Sequence, residues 1–291
     1  MTVIVRLRGG LGNQMFQYAA GIAQAERSGR RLMVDSSRMF TEKIRSYSLG
    51  AFNAPQANLG KLLCCLMEAA VILDRKRKRN GKPPLLGRWL FTENGHDINP
   101  DFFADARGSV YILDGFFQSE RYFDDHAPAV RKALRFPATD NAIMRDWEQK
   151  IGACEAVAIH IRRGDYVQPA NAAASLQALG LDYYARAVAE IRTRVSAPHF
   201  FVFSDDLDWA RQNVNIPGAP VSFIDGWDKL DFHDMQLMSQ CRHAIIANSS
   251  YSWWSAWLNA APDKVVVAPQ CWFSGGQYES ADIIPAAWLR C

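Results

Sequence analysis

No two of the six cysteines stand at the C-x-x-C spacing of a thiol redox centre or a zinc knuckle. Cys64 and Cys65 are adjacent, and Cys154, Cys241, Cys271 and Cys291 are scattered. A chain of 291 residues can build its own core, so reduced thiols are expected. The histidines lack H-E-x-x-H spacing, and no nucleophile elbow supports a Ser–His–Asp triad. The start, MTVIVRLRGGLGNQ, lacks the apolar run and cleavage site of a secretory signal, so a cytoplasmic protein is expected. The most apolar stretch, Leu59–Leu73, is interrupted by Lys61 and Glu68 and falls short of the roughly 20 residues that span a bilayer. Charge of one sign is also missing. Thirty-three Lys+Arg against 30 Asp+Glu leave +3, which excludes a polybasic nucleic-acid binder but not a local basic site.

Composition is globular, with 49% hydrophobic and 22% charged residues. Nine Trp and 16 Phe are available to fill a core or line a groove. Val3–Leu7, a glycine turn, a helix over Asn13–Arg27 and a strand over Arg31–Asp35 make a βαβ pattern, with a further strand at Val110–Asp114. The second half repeats the rhythm. Strands are expected at Ala156–Ile161, Phe200–Phe203, Val221–Ile224, Ala244–Ala247 and Val265–Ala268, with helices at Asp182–Arg194, Asp231–Arg242 and Trp253–Leu258. Their unbroken apolar runs suit parallel strands covered on both faces. The fold class is therefore α/β, with two domains expected at 1–150 and 151–291. The helix through Trp147 and Lys150 is taken as the passage between them. Leu59–Leu73 reads as a helix and runs into the basic stretch Arg75–Arg79. Leu59–Arg79 is therefore either an amphipathic element on an anionic membrane or a packed helix with a solvated basic cap.

Polar clusters follow three of the predicted strands: His160 to Asp165, Ser204 to Asp206, and Asn248 to Ser250. In open α/β sheets ligands bind at that edge. His160 and Arg162 project from one face of their strand and Ile161 from the other. Arg162 and Arg163 need anionic partners, either a bound phosphate or a structural ion-pair network. Asp205 and Asp206 suit a hard cation, or merely the exit of a strand and the cap of the next helix. Asp234 lies one turn into a helix, and Ser249 and Ser250 precede another, where hydroxyls hold phosphate or cap. Near the amino terminus, Gly9, Gly10 and Gly12 with Asn13 and Gln14 form a glycine-rich strand-to-helix turn. The spacing is neither G-x-G-x-x-G nor Walker A. The turn either lets backbone approach a ligand or packs two domains together.

Four of these stretches together resemble the bacterial α-1,2-fucosyltransferases, within the GDP-fucose-dependent fucosyltransferase superfamily. They are Gly9 to Tyr18, His160 to Tyr166, Phe203 to Asp206 and Asn248 to Ser255, in the expected order along the whole chain. The resemblance implies a GT-B architecture of two Rossmann-like domains facing across a cleft. The second half would bind GDP-fucose and the first would supply most acceptor contacts. It implies that Arg162 holds the β-phosphate region, supported by Arg163. His160 and Asp234 would meet the guanine side, and Ser250 with Ser249 the diphosphate. Ser204, Asp205 and Asn248 belong to the same donor-side set. No metal or other cofactor is implied, which demotes the cation reading of Asp205 and Asp206. GDP-fucose would be a co-substrate, and the partner a β-galactoside-terminated glycan, either free or lipid-linked, with no nucleic acid.

The implied reaction is an inverting transfer of L-fucose to the 2-hydroxyl of a terminal β-galactose in a surface glycan. Some relatives carry a glutamate shortly after the arginine motif. Here Pro169, Ala170 and Asn171 stand there instead, so Asp165, Asp114 and a substrate-assisted route are all open for removal of the hydroxyl proton. The alternatives are a related glycosyltransferase that uses another sugar nucleotide or makes a different fucosyl linkage, or a non-catalytic glycan- or nucleotide-binding protein that kept the fold.

Overall fold

Val3, Val5 and Leu7 lose all contact with solvent, and Ile4 nearly all, as a strand covered on both faces requires. They start an α/β fold of two units, Met1–Pro137 and Ala138–Cys291. The computed structural model describes residues 1–40, 46–56, 61–83, 85–87, 89–93, 95, 97–104, 108–164, 178–226, 232–273 and 282–291.

In the first unit, β1 (Thr2–Arg6), α1 (Leu11–Ser28) and β2 (Arg31–Asp35) are followed by α2 (Lys61–Arg79). Then come β3 (Leu90–Thr92), β4 (Val110–Asp114) and α3 (Ala127–Ala133). The strands form one parallel sheet in the order β2-β1-β4-β3. The sequence pattern misses β3, whose three residues are too few to carry a period. Helix α2 continues through the basic run to Arg79 before the Asn80-Gly81 turn. Phe91, Phe102, Phe117 and Tyr122 pack ring against ring beneath this sheet's C-terminal edge.

The second unit begins with α4 (Ala142–Gly152), β5 (Glu155–Ile161), α5 (Leu181–Arg192), β6 (Pro198–Ser204) and α6 (Leu207–Asn213). It continues with β7 (Val221–Phe223), α7 (His233–Gln240), β8 (His243–Ile245), α8 (Ser250–Leu258), β9 (Val266–Ala268) and β10 (Leu289–Arg290). All its strands run parallel in the order β10-β9-β8-β5-β6-β7. Helix α4 packs against α7 and β5. It is therefore an element of the second unit, and the division falls at Pro137/Ala138 rather than near 150. The amphipathic pattern of α4 looks like a connection in sequence because its partner face lies far along the chain.

On one face of β5, Val157, Ile159 and Ile161 pack with Tyr183, Tyr184, Ala187 and Ile191 of α5. Trp253, Trp254, Trp257 and Trp288 form a second aromatic cluster, and the Trp253 Nε1–H donates to the Ile283 carbonyl at 2.7 Å. Much of the tryptophan content thus goes to packing. Among the described residues, no helix is long and apolar enough to cross a membrane.

Candidate functional site

The strand order of the second unit decides where a ligand can sit. From β5 the chain winds outward through β6 to β7, then returns to the other side of β5 as β8. The winding direction reverses between β5 and β8, and such a switch point opens a crevice at the carboxyl edge. Strands β8, β5 and β6 are neighbours, so Asn248 to Ser250, His160 to Arg163 and Ser204 to Asp206 emerge side by side. The shared edge expected from sequence is therefore one contiguous edge.

Asp205 organises the arginine loop. Its carboxylate meets the Arg162 Nη1 at 2.8 Å and accepts the Arg163 backbone N–H at 2.9 Å. A Cβ at residue 164 would lie 2.5 Å from the Asp205 Oδ2, so the loop closes over this carboxylate only with glycine there. The Arg163 Nε meets Asp206 at 3.3 Å, and its guanidinium lies 3.7 Å from the centre of the Trp209 ring. Asp206 also accepts the Trp209 N–H and caps α6. The Ser204 hydroxyl accepts the Asp206 N–H at 3.0 Å. Asp205 and Asp206 are thus occupied with the arginines and a helix cap. No group of three or more His, Cys, Asp or Glu that could hold a metal ion occurs among the described residues.

His160 is buried on the opposite face of β5 from Ile159 and Ile161, with its ring 5.7 Å from that of Tyr251. The Tyr251 hydroxyl accepts the Met235 N–H at 2.9 Å, tying the first turn of α8 to that of α7, which carries half-buried Asp234. Ser249 caps α8 through the Tyr251 N–H, and Ser250 is its first residue. The first turn of α8 holds no acidic residue. Its partial positive charge therefore adds to the two arginines, an arrangement suited to an anion. Buried Asn248 donates to the Trp272 carbonyl. Beside Asp234, burial pushes the His233 imidazole below its usual pKa.

The first unit has its own switch point, between β1 and β4. Gly9 has φ +77°, and a Cβ there would come within 2.6 Å of the Asn13 amide. The polar residues of this turn hold it together. The Asn13 Oδ1 accepts from Gln118. The Gln14 amide donates to the carbonyls of Gly9 and Ser46 and accepts the Ser48 N–H. Asn13 and Gln14 act here as staples within the unit. The turn presents Arg8, which stacks 3.9 Å over Phe116, and burial lowers its pKa.

Asp114 is fully buried and meets Arg75 at 2.8 Å, Arg38 at 3.4 Å and Arg6 at 4.0 Å. Arg6 also meets Asp35 at 3.3 Å and Glu68 at 2.5 Å, and Arg38 meets Glu68 at 2.7 Å. Burial alone would raise the Glu68 carboxyl, but Arg6 and Arg38 hold it below the usual range. Removing one partner of such a buried network costs about 3–5 kcal/mol. Asp114 is therefore the centre of a buried ion-pair network. Asp165, the other candidate base, lies outside the described residues, as do Pro169, Ala170 and Asn171.

Sequence reading gave no individual site role to Trp209, Tyr251, Glu68 or Arg75, whose partners are remote in the chain. It also missed Glu93, whose Oε2 accepts the N–H groups of Phe116 at 2.6 Å and Phe117 at 2.9 Å. Phe117 is held at φ +53° there, and a Cβ at Gly115 would lie 2.6 Å from the Glu93 Cβ.

The model of glycosyl transferase family 11 matches residues 97–290, which include the arginine loop and both later motifs. The chain belongs to glycosyl transferase family 11. It is 33% identical to an alpha-1,2-colitosyltransferase of Escherichia coli over 99% of this chain and 98% of that protein. It is 26% identical to the human galactoside alpha-(1,2)-fucosyltransferase 1 over 89% of this chain and 66% of that one. Among solved structures, a mutant of Arabidopsis thaliana FUT1 in complex with GDP aligns with a TM-score of 0.50 at 12% identity. That alignment covers 91% of this chain and 69% of that one and concerns the fold alone. The resemblance carried by the four motifs holds at family level: this family 11 member is a glycosyltransferase with a GT-B-type α/β fold.

Burial raises the Glu93 carboxyl above its usual pKa despite the two amides it accepts. A native state that holds this proton more tightly gains stability below the ordinary glutamate range. That gain is lost as pH rises through the elevated native value. Glu93→Gln keeps an oxygen for the amides and does not ionise. The wild-type urea midpoint should therefore fall relative to that of Glu93→Gln as pH rises from about pH 4 toward neutrality. A difference that stays constant over that range contradicts a raised native pKa.

Proposed function

We propose that this family 11 glycosyltransferase transfers L-fucose from GDP-β-L-fucose to the 2-hydroxyl of a terminal β-galactose. The transfer inverts the anomeric carbon and leaves an α-1,2 linkage in a surface glycan. The observation that carries the donor side is the switch point of the second unit. There Arg162, Arg163 and the amino end of α8 stand on adjacent strand exits. A diphosphate is the ligand class such a set recognises.

As the bond between the sugar C1 and the phosphate oxygen breaks, negative charge grows on the β-phosphate. Arg162 meets that charge, and preorganised donors of this kind commonly supply the largest share of catalysis. The Asp205 carboxylate orients the planar guanidinium of Arg162. Arg163 supports the loop from Asp206 and Trp209. Ser249 and Ser250 lie toward the diphosphate, and His160 and Asp234 toward the base, with Ser204, Asp205 and Asn248 shaping the same edge. The acceptor side belongs to the first unit, with Gly9, Gly10, Gly12, Asn13 and Gln14 forming the backbone turn beside it. The acceptor hydroxyl attacks C1 from the face opposite GDP and loses its proton to a base. Of the two candidate carboxylates we propose Asp165, since Asp114 is enclosed by Arg6, Arg38 and Arg75, with a substrate-assisted route as the alternative.

A second reading of the donor rests on one finding, the 33% identity to a colitosyltransferase. Colitose is fucose without its 3-hydroxyl. A site built to hydrogen-bond that hydroxyl rejects the deoxy sugar by about 10⁴-fold, whereas a site built for the deoxy sugar discriminates only about 10²-fold. Comparing kcat/KM for the two GDP-sugars on lactose and on Galβ1-3GalNAc, with product linkage by NMR, separates the readings. Faster transfer from GDP-fucose into an α-1,2 product supports the first. Faster transfer of colitose transfers the assignment to that donor. Binding of GDP with no turnover of either overturns both.

In the same assay, Arg162→Ala should nearly abolish transfer while far-UV circular dichroism is unchanged, and normal kcat/KM would refute the diphosphate role. Asp165→Asn should lower kcat by about 10²-fold at saturating substrates, the usual scale of base catalysis. An unchanged kcat removes Asp165 from the reaction.

A further inference from the structure

The helix α2 is inside out relative to an ordinary surface helix. A helix packed on a core turns apolar residues inward and charges outward. Here the inward face carries Glu68, Val71, Asp74 and Arg75. Val71 and Asp74 are 1% and 2% exposed, and Glu68 and Arg75 pair with Arg6 and Asp114 of the first unit. The outward face carries Leu66 at 59%, Ile72 at 56% and Leu73 at 47% exposure, together with exposed Cys65 and Ala69. At 3.6 residues per turn, these five residues and Lys76 fall on one arc of about 120°. The ion pairs on the inward face fix the rotation of the helix, so the apolar arc cannot turn away from solvent without breaking them.

The surroundings of the arc are basic. Lys76 and Arg79 are exposed, Arg77 is half-buried, and Lys82 is exposed in the turn that follows. Both Asp74 oxygens accept backbone N–H groups, from Leu85 at 2.7 Å and Leu86 at 3.0 Å. This clamps the next segment to α2 while the Leu85 side chain stays 57% exposed, and Trp89 beyond it is 46% exposed. Exposed leucine, isoleucine and tryptophan beside lysine and arginine are the composition of elements that lie in a membrane interface.

We propose that α2 is a docking surface for an anionic lipid bilayer. It enters the headgroup layer with Leu66, Ile72 and Leu73 while Lys76, Arg77, Arg79 and Lys82 meet lipid phosphates. A bilayer is favoured over a protein partner by the basic residues clustered at the carboxyl end of a simple convex apolar stripe, which complement an anionic surface. The surface stands whichever sugar the enzyme transfers, so its test does not depend on the transfer assay.

The test is flotation of the full chain with vesicles of phosphatidylethanolamine and phosphatidylglycerol, beside vesicles of phosphatidylcholine alone. The wild-type chain should float with the anionic vesicles and bind neutral ones at least about tenfold more weakly, with the difference shrinking at high salt. Ile72→Glu with Leu73→Glu should lower binding to anionic vesicles at least about tenfold while circular dichroism and the urea midpoint stay those of the parent. Should that pair fail to fold, Lys76→Glu with Arg79→Glu should reduce the preference for anionic vesicles by a similar factor. A wild-type chain that stays with the unbound fraction overturns the proposal. So does a folded Ile72→Glu, Leu73→Glu chain that floats as well as the parent. A third contrary result is a dimer in sedimentation that those two substitutions dissociate, which would make the arc a contact between copies of this chain.

Discussion

The edge of the second sheet depends on one carboxylate. Asp205 sits at the exit of β6, yet its partners are the guanidinium of Arg162 and the backbone amide of Arg163, at the exit of β5. Holding both ends of the arginine turn sets the direction of two side chains at once. It also determines the turn itself, because the space between the carboxylate and residue 164 admits no Cβ. The neighbouring Asp206 and Trp209 extend the same support to Arg163. A loop held this way is rigid before any ligand arrives, and preorganisation is what makes charged donors effective in catalysis.

The first unit solves a similar problem with the same pairing of signs. There a buried carboxylate, Asp114, is the hub, and arginines from β1, from the short turn after β2 and from α2 converge on it. The two hubs differ in exposure. Asp205 retains partial access to solvent, while Asp114 has none. This difference separates a loop at the open edge of a sheet from a network that orients helices, and α2 takes its rotation from the second kind.

Where the chain was legible, the cause was local. Continuous apolar runs marked β1, β5 and β6, and the switch from strand to glycine turn to helix marked α1. The polar clusters at three strand ends were visible because strand exits are short and rich in Asp, Ser and Asn. What escaped was determined by partners remote in sequence. Arg163 and Asp206 are 43 positions apart, and Arg6 and Glu68 are 62 apart. No window of residues contains either pair. Strands β3 and β10 are too short to show a period, and α4 could be assigned to its unit only by what it packs against. Asp114 illustrates the limit most clearly. A carboxylate at a strand end reads as a candidate base until its three arginines are seen around it.

One contact near the amino terminus has a wider consequence. The Gln17 side chain accepts the Arg8 N–H at 3.0 Å and donates to the Arg8 carbonyl at 3.3 Å. These are the two bonds that a neighbouring strand would make to that residue. A helix thus supplies, from a side-chain amide, one extra rung of backbone pairing just where β1 leaves its sheet. The rung needs a donor and an acceptor in the same planar group, which glutamine has and glutamate at neutral pH lacks. Spontaneous or engineered deamidation at this single nitrogen would undo half of the rung and loosen the start of the glycine turn, although the side chain kept its shape.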